Sequence, residues 1–132
     1  MRQRVSTGSP WEDLVGYSRA VRVGDTIHVS GTTAVRNGQV VGAGDAYAQT
    51  TVALEIVTAA LAQLGATPAD VVRTRMFVTD ISRWEEYGRA HGEVFRDVRP
   101  TASMLEVSAL IHPDLLVEIE AEAIVGGASA PA

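Results

Sequence analysis

Apolar and polar positions alternate between Tyr17 and Thr32. Val21 and Val23 are separated by a polar neighbour, as are Ile27 and Val29. This period of two is the mark of half-buried strands. It predicts strands over Tyr17 to Val23 and Thr26 to Thr32, turned at Gly24-Asp25. Asn37-Gly38 lies between Val35 and Val40. That dipeptide accepts the positive φ angles of a tight type I′ turn and predicts a second hairpin.

The period then changes. Leu54, Val57, Leu61 and Leu64 recur at spacings of three and four, one apolar face of a helix over Ala46 to Leu64. Asp45 is placed to cap its first turn, and Gly65 to end it in a left-handed conformation. Thr67-Pro68-Ala69-Asp70 has the form of a capping box with proline at the first helical position. The β-branched run Val71 to Val78 predicts a strand. Asp80 or Ser82 caps a second helix over Arg83 to Phe95, with Trp84, Tyr87, His91 and Val94 on one face. Trp84 and Tyr87 are expected in the core. Strands follow over Thr101 to Val107 and Leu115 to Val125, joined through the turn at His112-Pro113-Asp114.

Two helices on one face of a mixed sheet make a two-layer α/β sandwich. A chain of 132 residues has enough surface to bury for one core, so residues 1–125 are expected to form a single domain. Gly126 to Ala132 is rich in Gly, Ala and Ser and is expected to fray. Nothing in so short a chain is left to cover the second face of the sheet, which predicts an oligomer.

Composition narrows the chemistry. There are no cysteines, which excludes disulfides, thiolate catalysis and cysteine-built metal sites. All 11 basic residues are arginine, so a Schiff-base lysine and a phosphate-loop lysine are excluded as well. The net charge of −5 argues against a nucleic-acid partner. No apolar stretch reaches the roughly 18–20 residues of a membrane span. No apolar run follows Met1-Arg2-Gln3-Arg4, so the expected location is cytoplasmic. His28, His91 and His112 have no metal-ligand spacing, and Gly42-Ala43-Gly44 lacks the third glycine of a dinucleotide site.

The last strand carries the strongest chemical signal. Leu115, Val117, Ile119, Ala121 and Ala123 face one way, and Glu118, Glu120 and Glu122 the other, about 7 Å apart. Two readings stand side by side. The row is a solvated or salt-bridged face, or a neighbouring subunit covers it and one glutamate works as a general acid/base. Arg73 and Arg75 share a strand face and are the available partners, since a guanidinium can take a carboxylate through two hydrogen bonds.

These segments also carry a family resemblance. Gly16-Tyr17, Val29-Ser30-Gly31, the run Val72 to Asp80, Arg99 to Ser103 with Glu106-Val107, and Val117 to Ala121 resemble the conserved blocks of the Rid (YjgF) family. The likeness extends from Val15 to Val125, with the blocks in order. It implies a chorismate-mutase-like fold and a homotrimer with helices outside. It also implies three intersubunit clefts that bind small molecules. In the best-known branch of the family, reactive 2-imino or enamine acids are hydrolysed to 2-oxo acids and ammonia without metal or organic cofactor. Matched residue by residue, the family's tyrosine is Tyr17, its strand serine and glycine are Ser30 and Gly31, and its glutamate is Glu120.

The departures are as specific as the matches. Ala102 stands where the family has the arginine that grips the substrate carboxylate. Gly88 replaces a frequent asparagine, and Met104, after Ser103, replaces a frequent cysteine. A lost bidentate arginine contact typically costs about 2–5 kcal/mol. The expectation is therefore a cofactor-free hydrolase or deaminase acting on an imine or enamine metabolite other than a simple 2-imino acid. Tyr17 and Glu120 would be catalytic, and Ser30, Gly31, Gly88, Ala102, Ser103 and Met104 would shape the ligand site. The alternatives are a non-catalytic small-molecule-binding trimer, or a 2-iminobutanoate/2-iminopropanoate deaminase in which Arg73 or Arg75 serves as anchor.

Overall fold

A computed structural model describes residues 1–128. In chain order the elements are β1 (Arg2–Val5), α1 (Pro10–Val15), β2 (Ala20–Val23), β3 (Thr26–Thr33), β4 (Val35–Arg36) and β5 (Gln39–Val40). They continue with α2 (Ala46–Gln63), β6 (Val71–Val78), α3 (Trp84–Phe95), β7 (Thr101–Glu106) and β8 (Val117–Ile124). Six strands form one mixed sheet in the order β1-β2-β3-β8-β6-β7. Every neighbouring pair is antiparallel except β6 and β7, which α3 joins by a crossover. The small hairpin β4–β5 stands apart, with Asn37 and Gly38 at φ 53° and 74°.

The core lies between the sheet and α2 with α3. On β8, Val117, Ile119, Ala121 and Ala123 are buried while the glutamates between them stay partly exposed. On α2, Leu54, Val57 and Leu61 are buried as their spacing requires, together with the small residues Ala46, Ala53 and Ala60. Asp45 caps this helix by accepting from the Ala48 N–H at 2.9 Å, and Gly65 follows it at φ 83°. Asp70 accepts from the Thr67 N–H at 3.0 Å, as the capping-box pattern predicts. Gln49 is fully buried in α2. Its amide donates to the Asp114 carbonyl at 2.8 Å and accepts from the Leu116 N–H at 2.7 Å, which pins the loop leading into β8.

Several expectations are corrected. β1 and α1 were not predicted. β2 begins at Ala20 rather than Tyr17, because the chain turns at Gly16 (φ 87°) before it joins the sheet. β8 begins at Val117, since Leu115 still donates back to the His112 carbonyl in a turn. Tyr87 is buried, but Trp84 is 57% exposed and belongs to the surface, since it opens α3 one turn before the buried stretch. Of the predicted frayed tail, Gly126–Ala128 turns back, with the Gly127 N–H on the Ile124 carbonyl. Residues 129–132 lie outside the described residues.

Candidate functional site

An irregularity in β3 builds the site. The register between β3 and β8 shifts between Val29 and Thr32, so Ser30 and Gly31 bulge out of the ladder. A bulge re-aims the backbone and frees it for local bonds. The Ser30 hydroxyl donates to the Ser18 carbonyl at 2.6 Å, and the Ser30 N–H to the Arg19 carbonyl at 2.9 Å. Arg19 Nη2 in turn donates to the Gly31 carbonyl at 2.7 Å. These bonds tie the segment after α1 to the bulge and carry Tyr17 beside it.

The bulge walls a cleft of about 880 Å³. Tyr17, Arg19, Gly31, Arg36, His112 and Glu118 line it, along with α1 and the β4–β5 hairpin. The volume falls in the range of small-molecule sites. Arg19 is 8% exposed and sits 5.6 Å from the centre of the Tyr17 ring. Its Nε is buried with no acceptor among the described residues. Gly31 is glycine for reasons of space, since a Cβ there would lie 2.7 Å from both Cδ and Oε2 of Glu118. Burial first, and then the neighbouring Glu120, push the Glu118 carboxyl above its ordinary pKa, with Arg19 opposing. His112 Nδ1 accepts from the Asp114 N–H at 3.0 Å, so the ring proton of the neutral form sits on Nε2.

The remaining glutamates form an ion-pair row on the open sheet face. β6 adjoins β8, with Arg75 opposite Glu120 and Arg73 opposite Glu122. Arg75 forks between them, Nη1 at 3.6 Å from Glu120 and Nη2 at 3.3 Å from Glu122. His28 Nδ1 lies 4.0 Å from Glu122. The salt-bridged reading thus describes Glu120 and Glu122, while Glu118 alone reaches the cleft. His91 is half-buried under α3, with Nε2 at 2.8 Å from the Thr74 hydroxyl and its pKa lowered by burial.

Of the residues singled out in the sequence, Tyr17 and Gly31 line the cleft and Ser30 holds the bulge. Glu120 lies on the same face as Glu118, one pleat further along β8. Ala102, Ser103 and Met104 lie on the edge strand β7, opposite Thr74, Arg75 and Met76, and Gly88 lies on α3. One chain does not bring these two groups together: β3 and β7 are separated by β8 and β6. Arg19, Arg36 and His112 were missed. Among the described residues no cluster of His, Cys, Asp or Glu could hold a metal ion, and no helix is long and apolar enough to cross a membrane.

Fold and cleft together define a known class. The model of the family described as endoribonuclease L-PSP matches residues 9–125, and the chain belongs to this family, the Rid (YjgF) superfamily. It resembles the crystal structure of Rv2704 from Mycobacterium tuberculosis, a member of the YjgF/YER057c/UK114 family. The identity is 54%, the TM-score 0.86, and the match covers 94% of this chain and 99% of that one. It is 41% identical to the uncharacterised protein SCO2049 of Streptomyces coelicolor, over 94% of this chain and 92% of that one. It is 32% identical to the 3-aminoacrylate deaminase RutC of Acinetobacter baylyi, over 80% of this chain and 84% of that one.

Proposed function

We propose that the chain forms a homotrimer of chorismate-mutase-like subunits and hydrolyses the C=N bond of an imine metabolite, or of an enamine through its imine tautomer, without a cofactor. The observation that carries this reading is the bulged Ser30–Gly31 segment, set with Tyr17 in the wall of a small-molecule cleft. In this reading the β7 edge of a neighbouring subunit, with Ala102, Ser103 and Met104, closes the cleft. In this reading Glu120 of that same neighbour, two strands in from the edge, turns from Arg75 toward the cleft. Membership of a family that includes a 3-aminoacrylate deaminase supports the reaction class. Ala102 leaves room where a long side chain would stand, which favours a substrate bulkier than the simplest 2-imino acids. A nuclease role is disfavoured by the net charge of −5 and by the glutamates on the open face.

The step balances with one carboxylate. Glu120 takes a proton from water as the water oxygen bonds to the carbon of the protonated imine. It returns that proton to nitrogen, the C–N bond breaks, and ammonia leaves. The hydroxyl proton passes through the carboxylate to the departing ammonia, leaving a carbonyl product and ammonium. Tyr17 and the bulge position the substrate.

The test generates 2-imino acids of increasing size in place with an amino acid oxidase and follows their disappearance with semicarbazide. A bulky imine should be consumed faster with the protein present. Glu120→Gln should cut the gain by about a hundredfold or more, the usual weight of a general acid/base. Ala102→Arg should shift preference toward the smallest imino acid. Light scattering should give the mass of three subunits. Inert protein, or an unchanged rate in the Glu120 variant, would refute the reading. The ion pair between Glu120 and Arg75 favours a non-catalytic binding trimer as the second reading, and tight binding without turnover would select it.

A further inference from the structure

We infer that Glu118 is the proton donor of the cleft: its carboxyl protonates the nitrogen of an imine that arrives neutral, before water adds. The inference deepens the proposed hydrolase reading and rests on it. With Glu120 as base, water adds to a protonated imine, and that first proton needs a source. The register of the sheet sets the three glutamates of β8 in unlike surroundings. Glu122 lies opposite His28 on β3 and Arg73 on β6, and Glu120 lies opposite Arg75. Glu118 lies between Thr33 and Phe77, neither of them charged. Arg75 pairs with Glu120 and Glu122, and among the described residues no cation comes within ion-pair distance of Glu118.

The carboxyl is also in place. Of the three glutamates only Glu118 lines the cleft of its own subunit. A Cβ on Gly31 would lie 2.7 Å from its Cδ and Oε2, so the carboxyl rests against the backbone of the bulge, in the same wall as Tyr17. Burial is the largest influence on this half-buried group and favours the neutral acid; Glu120 adds to it, and Arg19 opposes it. Arg19 is shared with Glu12, whose charge it also favours. The other titratable groups in the cleft are Tyr17, His112 and Arg36, the last 3.5 Å from Glu55. Two carboxylates in unlike surroundings divide acid and base work between them. The protons balance. Glu118 gives its proton to the imine nitrogen, forming an N–H bond and an iminium. Glu120 of the neighbouring subunit takes a proton from water as the C–O bond forms and returns it to nitrogen. As the C–N bond breaks and ammonia leaves, the hydroxyl proton of the intermediate passes to Glu118. Both carboxyls are restored, and the products are a carbonyl compound and ammonia.

The test follows the protein-dependent loss of 2-imino-4-methylpentanoate, made in place from leucine by an amino acid oxidase and read with semicarbazide, from weakly alkaline toward neutral pH. Glu118→Gln keeps the shape of the side chain and has no proton to give. It should cut the gain about a hundredfold where the imine is neutral. That deficit should shrink as pH falls, because the solution then protonates the imine, while the loss in Glu120→Gln should persist over the same range. Glu118→Asp, which restores an acid, should recover part of the rate. Wild-type turnover with an unchanged rate in Glu118→Gln, or with a loss of the same size at every pH, would overturn the inference and leave the hydrolase standing. Inert wild-type protein would overturn both. Should the glutamine variant fail to fold, wild-type protein with isotope-labelled glutamate carboxyls gives a second answer by NMR. The resonance missing from Glu118→Asp should keep its protonated position above the ordinary carboxylate range, and titration within that range would overturn the inference.

Discussion

Adding one methyl group at Gly31 should change the sign of its effect with the residue at position 118. The new Cβ would lie 2.7 Å from Cδ and Oε2 of Glu118 and 3.0 Å from its Cγ, well inside contact distance. Overpacking costs about 1–3 kcal/mol, and the low end applies here because the obstacle is a side chain that can swing aside. Gly31→Ala should therefore destabilise the protein by about 1 kcal/mol, a fall in Tm of roughly 3–5 °C for a domain of this size. Gly31 is not among the glycines at positive φ, so alanine meets no backbone strain there. With Glu118 cut back to alanine the obstacle is gone, and only the reduced freedom of the unfolded chain remains. That term stabilises by about 0.4–1 kcal/mol. The assay is a double-mutant cycle by urea denaturation on wild type, Gly31→Ala, Glu118→Ala and the pair. The coupling should reach about 1.5 kcal/mol. A Gly31→Ala penalty of equal size in both backgrounds would refute the idea that glycine is required by Glu118, and would place the cause in the bulge itself.

Three further outcomes follow from the same geometry. Glu118 has a folded pKa above its unfolded value, so its contribution to stability is full below the unfolded pKa of about 4.5 and is lost as pH rises through the folded value. Glu118→Gln should thus melt higher than wild type at pH 7, with the gap closing in acid; a constant gap across pH would contradict the assignment. Glu12 runs the other way. Burial opposes its charge, but the hydroxyls of Thr7 and Ser6 at 2.6 and 2.8 Å, the Thr7 N–H and the nearby Arg19 outweigh it and hold the pKa down. Its stabilisation is present above the unfolded pKa and falls away as pH drops through the folded one, so Glu12→Ala should cost about 2 kcal/mol at pH 7 and much less in acid, followed by chemical denaturation. Gln49→Leu leaves the Asp114 carbonyl and the Leu116 N–H without their partner, which should cost about 2–4 kcal/mol. Hydrogen exchange should then speed up at Leu116 before it does so at Ile119.

The parts of the fold that announced themselves are those whose own periodicity faces the core. Val117, Ile119, Ala121 and Ala123 on β8 and Leu54, Val57 and Leu61 on α2 bury the side their spacing selects. β1 offers a single buried residue, Val5, in a run of arginine and glutamine, so no alternation marks it. α1 was silent for the opposite reason: its apolar Trp11, Leu14 and Val15 are 47%, 77% and 70% exposed, and its buried residue is Glu12. Trp84 misled in the same way, as an aromatic residue at helical spacing that faces outward. The site was half legible. Tyr17, Ser30 and Gly31 could be carried over by resemblance, and the row of glutamates by alternation. Which glutamate meets the cleft depends on the β3 bulge, a shift of register that leaves no trace in composition. Arg19 escaped because an arginine beside a strand reads as solvated until the bulge folds a carbonyl onto it.

The position of β8 sets the order in which the chain can assemble. The last strand lies in the middle of the sheet, between β3 and β6, so the two halves of the sheet have no seam until it arrives. At ribosomal speeds, the stretch from the end of β6 at Val78 to the end of β8 at Ile124 takes roughly 2–9 s to emerge. Through that interval β3 and β6 each present an unpaired edge, the kind of surface that recruits other nascent chains. A chain stalled before Val117 therefore ends as two unjoined pieces, the three strands β1–β3 and the parallel pair β6–β7, and a premature stop there is an aggregation hazard rather than a shorter protein.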